Sequence, residues 1–122
     1  MALRRLALYW LAPALYLVLI FALSGMSRPP VPPGVDSNLL HYPEYAVLGL
    51  LFARALQGER RGRASLGALL AAVGLCAFWG ATDEIHQAFV PGRVPDPLDW
   101  WHDVVGAAAG AALWGIWKAW WP

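Results

Sequence analysis

The residues equipped for chemistry fall mostly in one stretch: Asp83-Glu84-Ile85-His86-Gln87, then Pro91-Gly92-Arg93, then Asp99, His102 and Asp103, with Gly106 and Gly110 beyond. Carboxylates and imidazoles can exchange protons, accept hydrogen bonds and ligate metals, and a guanidinium offers five donors suited to a phosphate or carboxylate. The chain of 122 residues is 59% hydrophobic and only 14% charged, yet these groups lie inside its apolar segments. Ionisable side chains in such places are costly and point to function by default.

A second group precedes them. Asn38, His41, Glu44, Tyr45 and Leu48 follow steps of three and four, which places them on one helix face. Asp83 and Gln87 share a face, with Glu84 turned about 100° away and His86 between the two directions. Asp99, Asp103, Gly106 and Gly110 recur at intervals of four, three and four, so two carboxylates stack above two glycines on one stripe, flanked by His102. Gly106-Ala107-Ala108-Ala109-Gly110 is a small-xxx-small surface, and its role is helix packing.

Interhelical hydrogen bonding, at about 1 kcal/mol per bond, accounts for part of this polarity, but the ionisable groups outnumber what adhesion requires. Three functions remain open. The first is a polar pocket that binds a ligand, with Arg93 as anion clamp. The second is an intramembrane hydrolase or transferase in which Asp83 or Glu84 is the general base and His41 the acid. The third is a proton-linked transporter or accessory subunit, against which stands the lack of polar residues in the other halves of the helices, Arg54 and Lys118 apart. His41, Glu44, Asp83, Glu84, His86, His102 and Asp103 contain enough nitrogen and oxygen ligands for a divalent metal, but their spacing is not diagnostic. His41-x-x-Glu44 lacks the second histidine of a helical zinc-protease motif. No cofactor is therefore predicted, and a divalent metal stays an open alternative.

These residues must be positioned by hydrophobic elements. Four segments, at about 6–24, 39–56, 65–90 and 98–121, each approach the ~20 residues a bilayer core requires. With a mean hydropathy of +0.47, they predict an all-α membrane protein in which residues 1–122 form one domain, a bundle of four transmembrane helices. Pro43 moves the regular start of the second helix toward His41 or Tyr42. The third is long enough to tilt, or to break near Thr82 and leave 83–97 re-entrant. The first follows Arg4-Arg5 like a signal peptide, but exceeds the ~7 to 15 apolar residues of one and has only a loose cleavage match at Ala22-Leu23-Ser24-Gly25. The proline-rich 26–34 is a stiff extended connector, and 57–63 a basic flexible loop.

Arg4, Arg5, Arg54, Arg60, Arg61, Arg63 and Lys118 fall on one side and Arg28 and Arg93 on the other, which puts both termini in the cytoplasm and every acid but Glu59 outside. Trp100-Trp101 and Trp120-Trp121 mark the two interfaces of the fourth helix, about 30 Å apart. The one cysteine, Cys76, excludes an internal disulfide, and no basic block suggests nucleic acid. Oligomeric state is left open.

The order and spacing of Asn38-x-x-His41-x-x-x-Tyr45-x-x-Leu48-Gly49, Asp83-Glu84-x-x-Gln87, Pro91-Gly92-Arg93, Asp99-x-x-x-Asp103 and Gly106-Ala107 resemble the VanZ-like family of small bacterial membrane proteins. The resemblance covers about 38–110. It implies a four-helix domain of the bacterial plasma membrane, associated with the cell envelope, in a family whose name-giving member is linked to low-level teicoplanin resistance; it supplies no reaction. Family members often carry Lys or Asp near Asn38 and Asn where Asp103 stands. The pattern marks His41, Tyr45, Asp83, Glu84, Gln87, Arg93, Asp99 and Asp103. From these, Tyr45, Gln87, Arg93, Asp99 and Asp103 are expected to bind ligand, and His41, Asp83 and Glu84 to be catalytic if there is a reaction. Membrane lipids are the expected partners, with a cell-wall precursor or glycopeptide as further candidates.

Overall fold

The computed structural model describes residues 2–121, which form four α-helices and no strand: α1 Ala2–Ser24, α2 His41–Gln57, α3 Leu66–Gln87 and α4 Pro97–Trp120. Side-chain caps set three of the starts. Asp36 accepts from the Asn38 amide at 2.9 Å and opens a 3-10 turn, Ser37–Leu40, that runs directly into α2. Ser65 accepts from the Ala68 amide at 3.1 Å. Asp96 accepts from the Leu98 amide at 2.9 Å, with Pro97 in the first turn, where its missing N–H costs nothing.

The helix ends differ from the sequence expectation in informative ways. α1 starts at Ala2, so Arg4 and Arg5 belong to its first turns. α2 starts at His41, and Asn38 lies in the 3-10 turn before it, so Asn38 does not share the α2 register. α3 runs unbroken through Thr82, whose hydroxyl donates to the Phe78 carbonyl at 2.8 Å, and ends at Gln87. The chain then turns through Pro91 and Gly92, whose φ of +80° favours glycine.

α4 packs most extensively on α2, and α3 covers both, while α1 touches mainly α2. The α2–α4 contact is close because three glycines leave room for backbone. A methyl group on Gly106 would overlap the carbonyl of Tyr42, one on Gly110 the carbonyl of Ala46, and one on Gly49 the carbonyl of Ala107. Below this seam lie Tyr45, Leu48 and Phe52 of α2, Ala72 and Cys76 of α3, and Ala107 and Ala111 of α4, with Ile20 from α1. The outer surface is apolar: Leu11, Leu15 and Val18 of α1, Leu70 and Phe78 of α3, and Leu113 and Ile116 of α4 are all exposed. Among the described residues, α1 and α3 are the helices long and apolar enough to cross a membrane.

Charge separates along the bundle. At one end Arg5 pairs with Glu59 at 2.9 Å and Arg54 lies over the Tyr9 ring, 5.2 Å from its centroid. At the other end the acids and histidines of α2, α3 and α4 converge.

Candidate functional site

The site begins with a pair joined across 62 positions of sequence: His41 Nδ1 lies 2.7 Å from Asp103 Oδ1. Asp103 is 1% exposed, the most buried charged side chain of the bundle. Its depth has a packing cause. Gly80 of α3 lacks the Cβ that would come within 3.0 Å of Asp103 Oδ2, so the carboxylate occupies space a larger residue would take. One helical turn away, Asp99 Oδ2 is 3.9 Å from His41 Nε2 and Asp99 Oδ1 is 3.9 Å from His102 Nδ1, distances that allow electrostatic attraction without a hydrogen bond. His102 packs against Tyr42 at 4.8 Å between ring centroids, and its Nδ1 is buried without a partner.

The neighbouring face comes from α3. Gln87 donates to Asp83 Oδ2 at 3.2 Å, both residues being buried, as their shared face requires. Glu84 points elsewhere: its Oε2 accepts from the Asp96 amide at 3.1 Å and so ties the 88–96 loop to α3, while Oε1 is buried without a partner. His86 turns toward α1, where it stacks on Phe21 with centroids 4.4 Å apart and its Nδ1 meets the Ser24 hydroxyl at 3.3 Å. Trp100 Nε1 donates to the Ala77 carbonyl at 2.8 Å and fixes α4 against α3.

Between these helices lies a cleft of about 270 Å³, lined by His41, Glu44, Asp83, Gln87, Arg93 and Asp99. The proline-rich connector closes one side with Pro29, Pro30 and Val31. Arg93 is half-buried there, and among the described residues it forms no ion pair. Tyr45, 1% exposed, lies deeper with its hydroxyl unpartnered.

The residues singled out from sequence therefore divide. His41, Asp83, Gln87, Arg93 and Asp99 meet at one cleft, with Asp103 directly behind His41. Tyr45 is beneath it, and Glu84 is occupied by the loop backbone. Histidine 41 pairs with Asp103 on α4, not with Asp83 or Glu84 of α3. Sequence reasoning missed Gly80, Ser24 and Phe21. Gly80 stands three residues before Asp83 and so on the same face of α3, a signal that was available; nothing local connects Ser24 or Phe21 with His86. Among the described residues, no group of three or more His, Cys, Asp or Glu side chains is arranged to hold a metal ion.

The described residues are all helical, with an apolar exterior, a charged cleft at one end and two helices long and apolar enough to cross a bilayer, features that a small membrane-associated helical protein would have. A family profile described as VanZ/LLP1 matches residues 30–118, which include α2, α3, nearly all of α4 and most of the cleft lining, though not Leu23, Ser24 and Pro29. The chain belongs to the VanZ/LLP1 family, and membership points to a membrane protein with a link to glycopeptide resistance at the level of the family. Neither the curated proteins nor the solved structures contain a match to this chain.

Proposed function

We propose that all four helices span the bacterial plasma membrane with both termini cytoplasmic, and that the cleft, at the extracytoplasmic end, binds a lipid headgroup or a cell-wall-related ligand. The observation that carries this reading is Arg93, a guanidinium on the cleft wall with no carboxylate within ion-pair distance among the described residues. A guanidinium held beside a cavity and left unpaired suits bidentate contact with phosphate or carboxylate. The exposed apolar faces of α1, α3 and α4, between which α2 is largely enclosed, support the spanning arrangement, because so much contiguous apolar surface is unfavourable in water. The basic residues at the opposite end support the orientation. Lipid binding to the purified full chain and to Arg93→Ala tests the clamp: equal binding by the two proteins eliminates it. Labelling of Arg61→Cys and Val94→Cys in intact cells tests the orientation, which requires that only the second be reached from outside.

One observation favours a second reading, an intramembrane hydrolase or transferase. Asp103 holds His41 through Nδ1, which leaves Nε2 toward the cleft, the orientation a general base or acid needs. Here Asp103 is the positioning residue and His41 the catalytic one. Asp83 remains on the cleft wall, while Glu84 is engaged with the Asp96 amide. Headgroup release from labelled lipid by the wild type, abolished in His41→Ala and retained in Glu84→Gln, is the expected pattern; release that survives His41→Ala rules this reading out.

A further inference from the structure

Resting on the headgroup reading, we infer that the cleft takes a zwitterion: a phosphate held by Arg93 whose primary ammonium group, a few bonds away, lies against the carboxylates of the opposite walls. Arg93 is the single guanidinium lining the cleft among the described residues, whereas Glu44, Asp83 and Asp99 supply a carboxylate from each of α2, α3 and α4. A phosphate alone would add negative charge to a cavity already rich in it, and in a half-buried site such repulsion is weakly screened.

The state of the individual carboxylates points the same way. Asp103 is satisfied by His41, and Asp83 accepts from Gln87. Asp99, only 9% exposed, accepts no hydrogen bond from any described residue and has its nearest cationic candidates, the imidazoles of His41 and His102, 3.9 Å away. The Glu44 carboxylate is likewise without a hydrogen bond; what Tyr16 contacts is the Glu44 carbonyl, at 2.9 Å. Both carboxylates line the cleft without a donor among the described residues, so their oxygens are open to a ligand, and an ammonium brings three donors and a compensating charge. A quaternary ammonium brings the charge but no donor, so the primary amine is the better complement.

The test is native mass spectrometry of the full chain released from detergent micelles, with phosphatidylethanolamine, phosphatidylglycerol and phosphatidylcholine of identical chains, and with soluble O-phosphoethanolamine as competitor. Phosphatidylethanolamine should bind about tenfold more tightly than either other lipid. The Glu44→Gln/Asp99→Asn protein should bring the three lipids within about twofold of one another while still binding phosphatidylglycerol, which shows that it is folded. Competition by O-phosphoethanolamine at concentrations comparable to the lipid also supports the zwitterion, and names a soluble phosphoamine as its source. If phosphatidylglycerol binds as tightly as phosphatidylethanolamine and is lost in Arg93→Ala, the zwitterion is overturned while the headgroup site stands. If Arg93→Ala binds every lipid as the wild type does, both fail.

Discussion

Replacing Gly110 with alanine is the sharpest probe of the packing on which the site depends. The added Cβ would lie 2.6 Å from the carbonyl carbon of Ala46 and 2.9 Å from its Cα, where ordinary contact begins at 3.4 Å, and would overlap the carbonyl oxygen outright. These are backbone atoms, so no rotamer change relieves the clash, and α2 and α4 must separate by about an ångström over that turn. Overpacking of this kind costs about 1–3 kcal/mol, and alanine's better helix propensity returns up to about 1 kcal/mol, which leaves a net destabilisation of about 1 kcal/mol. Gly74 of α3 is the control: it has nothing within 4 Å of the same position, so Gly74→Ala should be neutral or slightly stabilising. Reversible unfolding in mixed micelles, followed by circular dichroism, compares the two, and a difference of about 2 kcal/mol is about a thirtyfold change in the folded ratio. Equal stability of Gly110→Ala and Gly74→Ala would refute the claim that glycine on α4 sets the α2–α4 distance.

In a double-mutant cycle on stability, His41→Ala and Asp103→Ala should each cost about 1–3 kcal/mol and together less than their sum by about 1 kcal/mol, since each leaves the other unpaired; additivity would mean the pair does not form. Phe21→Ala should weaken docking of α1 by about 1 kcal/mol through loss of the stack on His86, read as faster proteolysis within α1, whereas Phe78→Ala, on an exposed face, should not alter it. Arg5→Ala should leave stability within about 0.5 kcal/mol of wild type in the same unfolding assay, because the side chains of Arg5 and Glu59 are 58% and 52% exposed.

Much of the fold is legible in the sequence because its punctuation is local. Pro29, Pro30, Pro32 and Pro33, the Ser65 cap and the Asp96-Pro97 start state where helices can and cannot be, and the ends of the four helices fall within a few residues of the hydrophobic runs. Periodicity also states which residues share a face, as with Asp83 and Gln87, or Asp99 and Asp103. It does not state which helix that face meets. The histidine that could have paired with Asp83 or Glu84 meets Asp103 of α4 instead, because the glycine seam brings the start of α2 against α4. Glu84 has the composition of a site residue but serves the loop backbone, an outcome decided by the path of residues 88–96 and invisible to spacing. Asn38 lies three residues before His41, yet the 3-10 turn carries it out of the helical register.

Gly80, Gly106 and Gly110 act on the site together although none of them can touch a ligand. The two on α4 let α2 approach closely enough for His41 to reach Asp103, and the one on α3 vacates the space that the Asp103 carboxylate fills. A carboxylate placed so deeply is stable only while its hydrogen-bond partner is held in register, since an unpaired buried charge costs far more than the pair contributes. The close packing therefore has a chemical consequence: it fixes Nδ1 of His41 on Asp103, and leaves Nε2 with Asp99, another residue of the cleft lining, 3.9 Å away. A looser α2–α4 seam would keep every residue of the cluster and lose the geometry that gives His41 a direction.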